Sequence, residues 1–185
     1  MIERTSEQGF NSEQGEGFRE VLRDGILCYE LAGEPLIVGL STKQLNKVND
    51  TYSEALIRSF DSDHAAELYA RRVEINLEAA DTKDVVHIVD EAYLAADHKN
   101  EKTDALITQL RGVPLLSVAT DCPSVLVYHG GVKPTLGIAH SGWKSARLGV
   151  VPKMLRMMSE VYAVNPKEVQ VVITPYADQI GRAHV

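Results

Sequence analysis

The spacing of apolar positions changes several times along this chain, and each change marks an expected element. Residues 26–31 and 36–40 are short apolar runs separated by Ala32-Gly33-Glu34-Pro35, which predicts a β-hairpin with Cys28 as a packing residue. From Asp61 the period lengthens. Ala66, Tyr69, Val73 and Leu77 fall on one face of a helix that Ser62 would cap, while Glu67, Arg71, Arg72 and Glu74 form a solvated face. A strand is expected over 85–89, and the polar run from Asp97 to Glu101 reads as an exposed loop.

The next stretch is denser in apolar runs. Residues 115–119, 124–128 and 136–139 are short, β-rich and bounded by Gly or Pro, so they predict buried strands. The first run leads into Thr120-Asp121-Cys122 and the third into His140, and the turn at His129-Gly130-Gly131 with Pro134 would fold one back on the other. A tight antiparallel excursion of this kind brings Cys122 and His140 together. Beyond it, Leu148, Val151, Leu155, Met158 and Tyr162 recur at helical spacing, and the methionines there read as core packing. Pro152 implies either a helix start near Val151 or a kink. Asn165-Pro166 ends the helix, and residues 169–173 return as a strand.

A length of 185 residues suits one domain with a sizeable core, and 44% hydrophobic with 24% charged residues is an ordinary globular balance. A net charge of -7 leaves no basic stripe for phosphate backbones, which argues against a nucleic-acid surface. No apolar stretch is long enough to span a bilayer, and the first 23 residues lack signal-peptide character, so the cytoplasm is the expected compartment. Residues 1–17 are polar and glycine-bearing and are expected to be flexible.

A Cys and a His at neighbouring strand ends suit two chemistries. As thiolate and imidazole they are zinc ligands that need a third protein ligand and an open position. As a metal-free pair, the imidazole would activate Cys122 as a nucleophile. For an arbitrary pair, a buried packing cysteine and a hydrogen-bonded histidine are commoner than either.

The surrounding residues carry a resemblance. Thr120-Asp121-Cys122-Pro123-Ser124-Val125-Leu126 resembles the signature ADC-x-PVL, and His140-Ser141-Gly142-Trp143-Lys144-Ser145 resembles H-[AS]-G-W-[RK]-G, both of the laccase-domain family. Residues 103–108 are similar to its DALVT element, and the likeness runs from about Asp84 to Pro175. Lys144 stands where the family usually has Arg, Ser145 replaces a Gly, and the Gln-x-His that supplies the first metal ligand is not visible.

The resemblance implies an α/β fold, an α+β sandwich of mixed β-sheets flanked by helices in a single domain over residues 1–178. It implies a zinc-dependent purine nucleoside phosphorylase with adenosine deaminase activity, acting on purine nucleosides and phosphate. Ligand type alone admits copper as well. Zinc would lower the pKa of a bound water to about 7, which suits hydrolytic loss of the purine 6-amino group. The implied catalytic set is Cys122, His140 and Asp121, with metal on Cys122 and His140. Lys144 and Arg147 are the candidates for holding phosphate. Counting back from the strand at Val85, the family's first histidine falls near Asp81, the favoured third ligand, with His87 or neither as alternatives. Residues 179–185 match the translation of a common short-read sequencing adapter and are expected to be a non-native tail, so His184 belongs to no site. Two other readings stay open: a metal-free Cys-His hydrolase or deamidase, and a degenerate domain that binds a nucleoside or a partner protein without turnover.

Overall fold

The computed structural model describes residues 18–23, 26–31, 37–41, 56–58, 61–75, 84–98, 101–118 and 121–176. Residues 1–17, Asp81 and 179–185 lie outside them. The chain packs as two units, residues 1–47 and 48–185. The first holds β1 (Phe18–Arg23), β2 (Ile26–Leu31) and β3 (Ile37–Ser41), an antiparallel sheet in that order. The expected hairpin is β2–β3, in register from Ile26↔Ser41 to Glu30↔Ile37. Strand β1 was not expected, because its three charged residues mask a six-residue run that pairs fully with β2.

The second unit holds α1 (Ala65–Arg71), β4 (Val73–Glu74), β5 (Val86–Ile88), α2 (Glu91–Ala95), β6 (Ala105–Thr108), β7 (Leu115–Leu116), β8 (Ser124–His129), β9 (Thr135–His140), α3 (Trp143–Leu148), α4 (Val150–Tyr162) and β10 (Gln170–Ile173). Five strands form one sheet in the order β10-β8-β9-β6-β5, and β4 pairs with β7 in a second. Only the β5–β6 contact of the large sheet is parallel, so it is mixed, as the α/β expectation requires.

Both faces of this sheet are buried, which explains apolar runs that do not alternate with polar residues. Ala105, Ile107, Val125, Val127 and Ala139 pack on α4, and Leu106 and Ile138 pack on the opposite side with Ile75, Val89 and Val113. Helix α4 contributes Val150, Met154 and Met158, spaced four apart and fully buried. Gly137 of β9 makes the slot for them. A Cβ at that glycine would lie 3.0 Å from the Met154 sulfur and 3.2 Å from that of Met158.

Four expectations are corrected. The helix from Asp61 is shorter than its stripe implied: Arg72 turns extended, and Val73 and Ile75 donate to the carbonyls of Pro114 and Leu116 at 2.9 Å. β-Branched side chains favour that extended backbone. Its N-cap is His64, not Ser62, and Ala65 rather than Ala66 is buried. The strand expected over 115–119 is only Leu115–Leu116, and Val118 is exposed. The polar run after α2 is irregular where it is described, as expected, but its His98 is half-buried and stacks on the Tyr93 ring with centroids 3.6 Å apart; α2 itself is capped by Asp90 accepting from the Tyr93 amide at 2.8 Å. Finally, the long helix is two. Gly149 adopts φ 81°, a left-handed conformation that ends α3 and begins α4. Leu148 therefore leaves the stripe and is exposed, while Pro152 sits in the first turn of α4, where its missing amide hydrogen costs no helix bond.

The buried stripe of α4 fixes one expectation. Met154→Ala should destabilise the protein by about 2–5 kcal/mol, since the cavity opens against the backbone of β9. Met157→Ala, at a half-buried position, should cost markedly less. Urea denaturation followed by helical circular dichroism measures both.

Candidate active site and metal centre

Strands β8 and β9 run antiparallel with Ser124 opposite His140 and Tyr128 opposite Leu136. Cys122 therefore sits two residues before the strand whose first residue faces the last residue of β9. The amide of Ser141 donates to the carbonyl of Pro123 at 2.9 Å and continues the ladder past His140. Sulfur and imidazole meet over Gly142. From the position a Cβ on that glycine would take, His140 Cε1 lies at 3.1 Å, Cys122 Sγ at 3.3 Å and His140 Nε2 at 3.7 Å. The convergence inferred from the sequence is thus present.

His140 is 7% exposed, and its Nδ1 is buried with no hydrogen-bond partner among the described residues. Burial holds the His140 pKa below the ordinary imidazole value, against the opposing charges of Asp104 and Asp121. The ring is therefore neutral at physiological pH, the form that ligates a metal or accepts a proton. Cys122 is half-buried and carries a thiol, which donates to Asp121 Oδ1 at 3.7 Å.

Supporting groups around the pair were not legible as site residues. Asp104 is 3% exposed; its carbonyl accepts from the His140 amide at 2.9 Å, and its carboxylate accepts from the Val85 amide at 3.3 Å. Ser145, fully buried, donates to the carbonyls of His140 and Gly142 at 3.0 and 3.1 Å and staples the start of α3 to the end of β9. Thr174 Oγ1 accepts from the Ser124 amide at 2.9 Å, and the Ser124 hydroxyl bonds that of Ser117 at 2.8 Å. The DALVT-like element was a signal for Asp104, but nothing local marks Ser117 or Thr174.

The remaining candidates separate. Lys144 and Arg147 are exposed on α3, one and four residues beyond Trp143, with Lys144 Nζ 5.8 Å from the Trp143 ring centroid. His87 does not join the pair: its Nε2 lies 3.1 Å from the Lys102 carbonyl, and its ring lies 5.6 Å from that of Tyr93. Asp81 lies outside the described residues. Among those residues, no cluster of three or more His, Cys, Asp or Glu could hold a metal ion. The donors that do meet, a thiol and a neutral imidazole with an unsatisfied nitrogen, fit zinc or copper as two of the ligands.

Fold and site together match a known family. Residues 41–181 match the family described as multi-copper polyphenol oxidoreductase laccase, and the chain belongs to it. Among its relatives, the purine nucleoside phosphorylase LACC1 of Mus musculus is 32% identical over 85 residues, covering 46% of this chain and 20% of that protein. The purine nucleoside phosphorylase YlmD of Bacillus subtilis is 32% identical over 73 residues, covering 40% of this chain and 26% of that protein. The chain thus spans about a quarter or less of the curated relatives it matches. The crystal structure of YlmD from Geobacillus stearothermophilus superposes with a TM-score of 0.54 at 19% identity, over 89% of this chain and 64% of that one, and supports the fold. Among the described residues, no helix is long and apolar enough to cross a membrane.

The burial of His140 sets a sign for pH. With its folded pKa below the ordinary value, the unfolded chain binds the proton more readily, so this group's contribution to stability is lost as pH falls below the ordinary imidazole range. In metal-stripped protein, the His140 ring signals in a proton NMR titration should show a midpoint below 6.5. A midpoint at or above that value would contradict the burial argument.

Proposed function

We propose that this chain carries a zinc-dependent purine nucleoside phosphorylase site that also deaminates adenosine. The observation that supports it most is the meeting of Cys122 and His140 over Gly142, in a family whose matched relatives are named purine nucleoside phosphorylases. Cys122 and His140 hold the ion, with Asp81 as the proposed third ligand. Zinc when bound supplies a Lewis acid that activates water at neutral pH.

The residues of the chain do the rest. Neutral His140 keeps a nitrogen lone pair available, and Asp121 Oδ1 accepts a hydrogen bond from the Cys122 thiol in the metal-free site. Lys144 offers phosphate an exposed point charge at the rim; an ammonium binds it less directionally than a guanidinium would. Arg147 adds a second cation within one turn of α3. In phosphorolysis, a phosphate oxygen bonds to ribose C1′ as the bond from C1′ to the base nitrogen breaks. The base leaves with that electron pair and takes up a proton. In deamination, water adds at purine C6 and the amino group departs as ammonia.

The test uses zinc-loaded protein. Inosine or adenosine should yield free base and ribose 1-phosphate only when phosphate is present, and adenosine should release ammonia. Cys122→Ala and His140→Ala should lose stoichiometric zinc and both activities, whereas Lys144→Ala should weaken phosphorolysis more than deamination, because only the former needs a bound anion. Equal loss in the Lys144 variant would remove its assigned role. Metal-free protein with a reactive Cys122 thiol would transfer the reading to a Cys-His hydrolase, and nucleoside binding without turnover would leave a binding domain.

A further inference from the structure

Helix α3 leaves its two largest apolar side chains exposed. Its buried side chain is Ser145, held by two hydroxyl hydrogen bonds, while Trp143 and Leu148 keep 59% and 55% of their surface exposed. Burial of an indole is among the largest apolar contributions a short helix can make to its fold, and here it is forgone. The position is not remote. Trp143 follows Gly142 through a trans peptide, about 3.8 Å from Cα to Cα.

Gly142 is buried and packs directly against the pair: a Cβ there would crowd His140 Cε1 at 3.1 Å and Cys122 Sγ at 3.3 Å. Trp143 is the next side chain along the chain from that glycine. Lys144 Nζ, 5.8 Å from the ring centroid, lies within cation–π range of the same indole. An exposed aromatic face and a cation thus follow directly in the chain on the glycine that lies against the Cys122–His140 pair. A flat, uncharged heterocycle joined to an anion-accepting sugar needs the same three features.

We propose that Trp143 is the stacking platform for the base of the substrate, holding the purine ring against the indole. It rests on the nucleoside reading and adds to it the group that grips the base. Stacking on an aromatic side chain is indifferent to which purine it holds, so Trp143 contributes affinity and leaves the choice between inosine and adenosine to other groups.

Trp143 is the single tryptophan of the chain, so its emission reports this position alone. Zinc-loaded protein should show saturable quenching with inosine and with hypoxanthine, and none with ribose 1-phosphate. Trp143→Ala should raise KM for inosine about tenfold or more, with a smaller effect on kcat, and Trp143→Phe should recover most of the loss by keeping a ring. Because the side chain is exposed, circular dichroism of both variants should match the parent. Inosine turnover with unresponsive emission and an unchanged KM in Trp143→Ala would overturn the platform and leave the nucleoside reading standing. Absence of both turnover and binding would overturn the two together. Emission that tracks protein concentration instead of ligand would assign Trp143 to contact between copies and overturn the platform.

Discussion

The pairing of Ser124 with His140 is the constraint on which the second unit depends. Side chains alternate across a strand, so a one-residue slip between β8 and β9 would turn His140 toward α4 and move Gly137 out of the slot that admits Met154 and Met158. Core packing and site geometry are therefore set by one register. The buried stripe of α4 enforces it from one face, and Leu106 with Ile138 enforces it from the other.

Around that register, the polar groups of the strand ends are paired. Asp104, Ser145 and Thr174 take up backbone donors and acceptors of Val85, His140, Gly142 and Ser124. Against this background the unsatisfied Nδ1 of His140 stands out. Burial sharpens the contrast, because a buried nitrogen without a partner costs more than an exposed one. Burial thereby keeps the ring neutral, with Nδ1 unbonded among the described residues.

Legibility in the sequence followed the range of the interaction. The β2–β3 and β8–β9 hairpins, the approach of Cys122 to His140 and the return strand β10 were readable because short runs and local turn residues specify them. Helix α1 was overestimated because Val73 continues its stripe in sequence, yet is drawn into a parallel pairing with Leu115, far along the chain. The helix after His140 was read as continuous because a periodic pattern does not show that Gly149 is left-handed. His98 looked solvated because its partner, the Tyr93 ring, belongs to a helix of five residues, too short to show a period. Asp104 was marked by the DALVT-like element, but its role was not: its carbonyl serves His140 through the backbone, which no side-chain pattern records.

Cys122 and His140 flank one hairpin, and that arrangement has a kinetic meaning. Closing a short loop costs little chain entropy, and hairpins zip within microseconds, long before distant strands such as β4 and β7 find each other. The Cys122–His140 pair can thus come together from a contiguous piece of chain, with low contact order, early in folding.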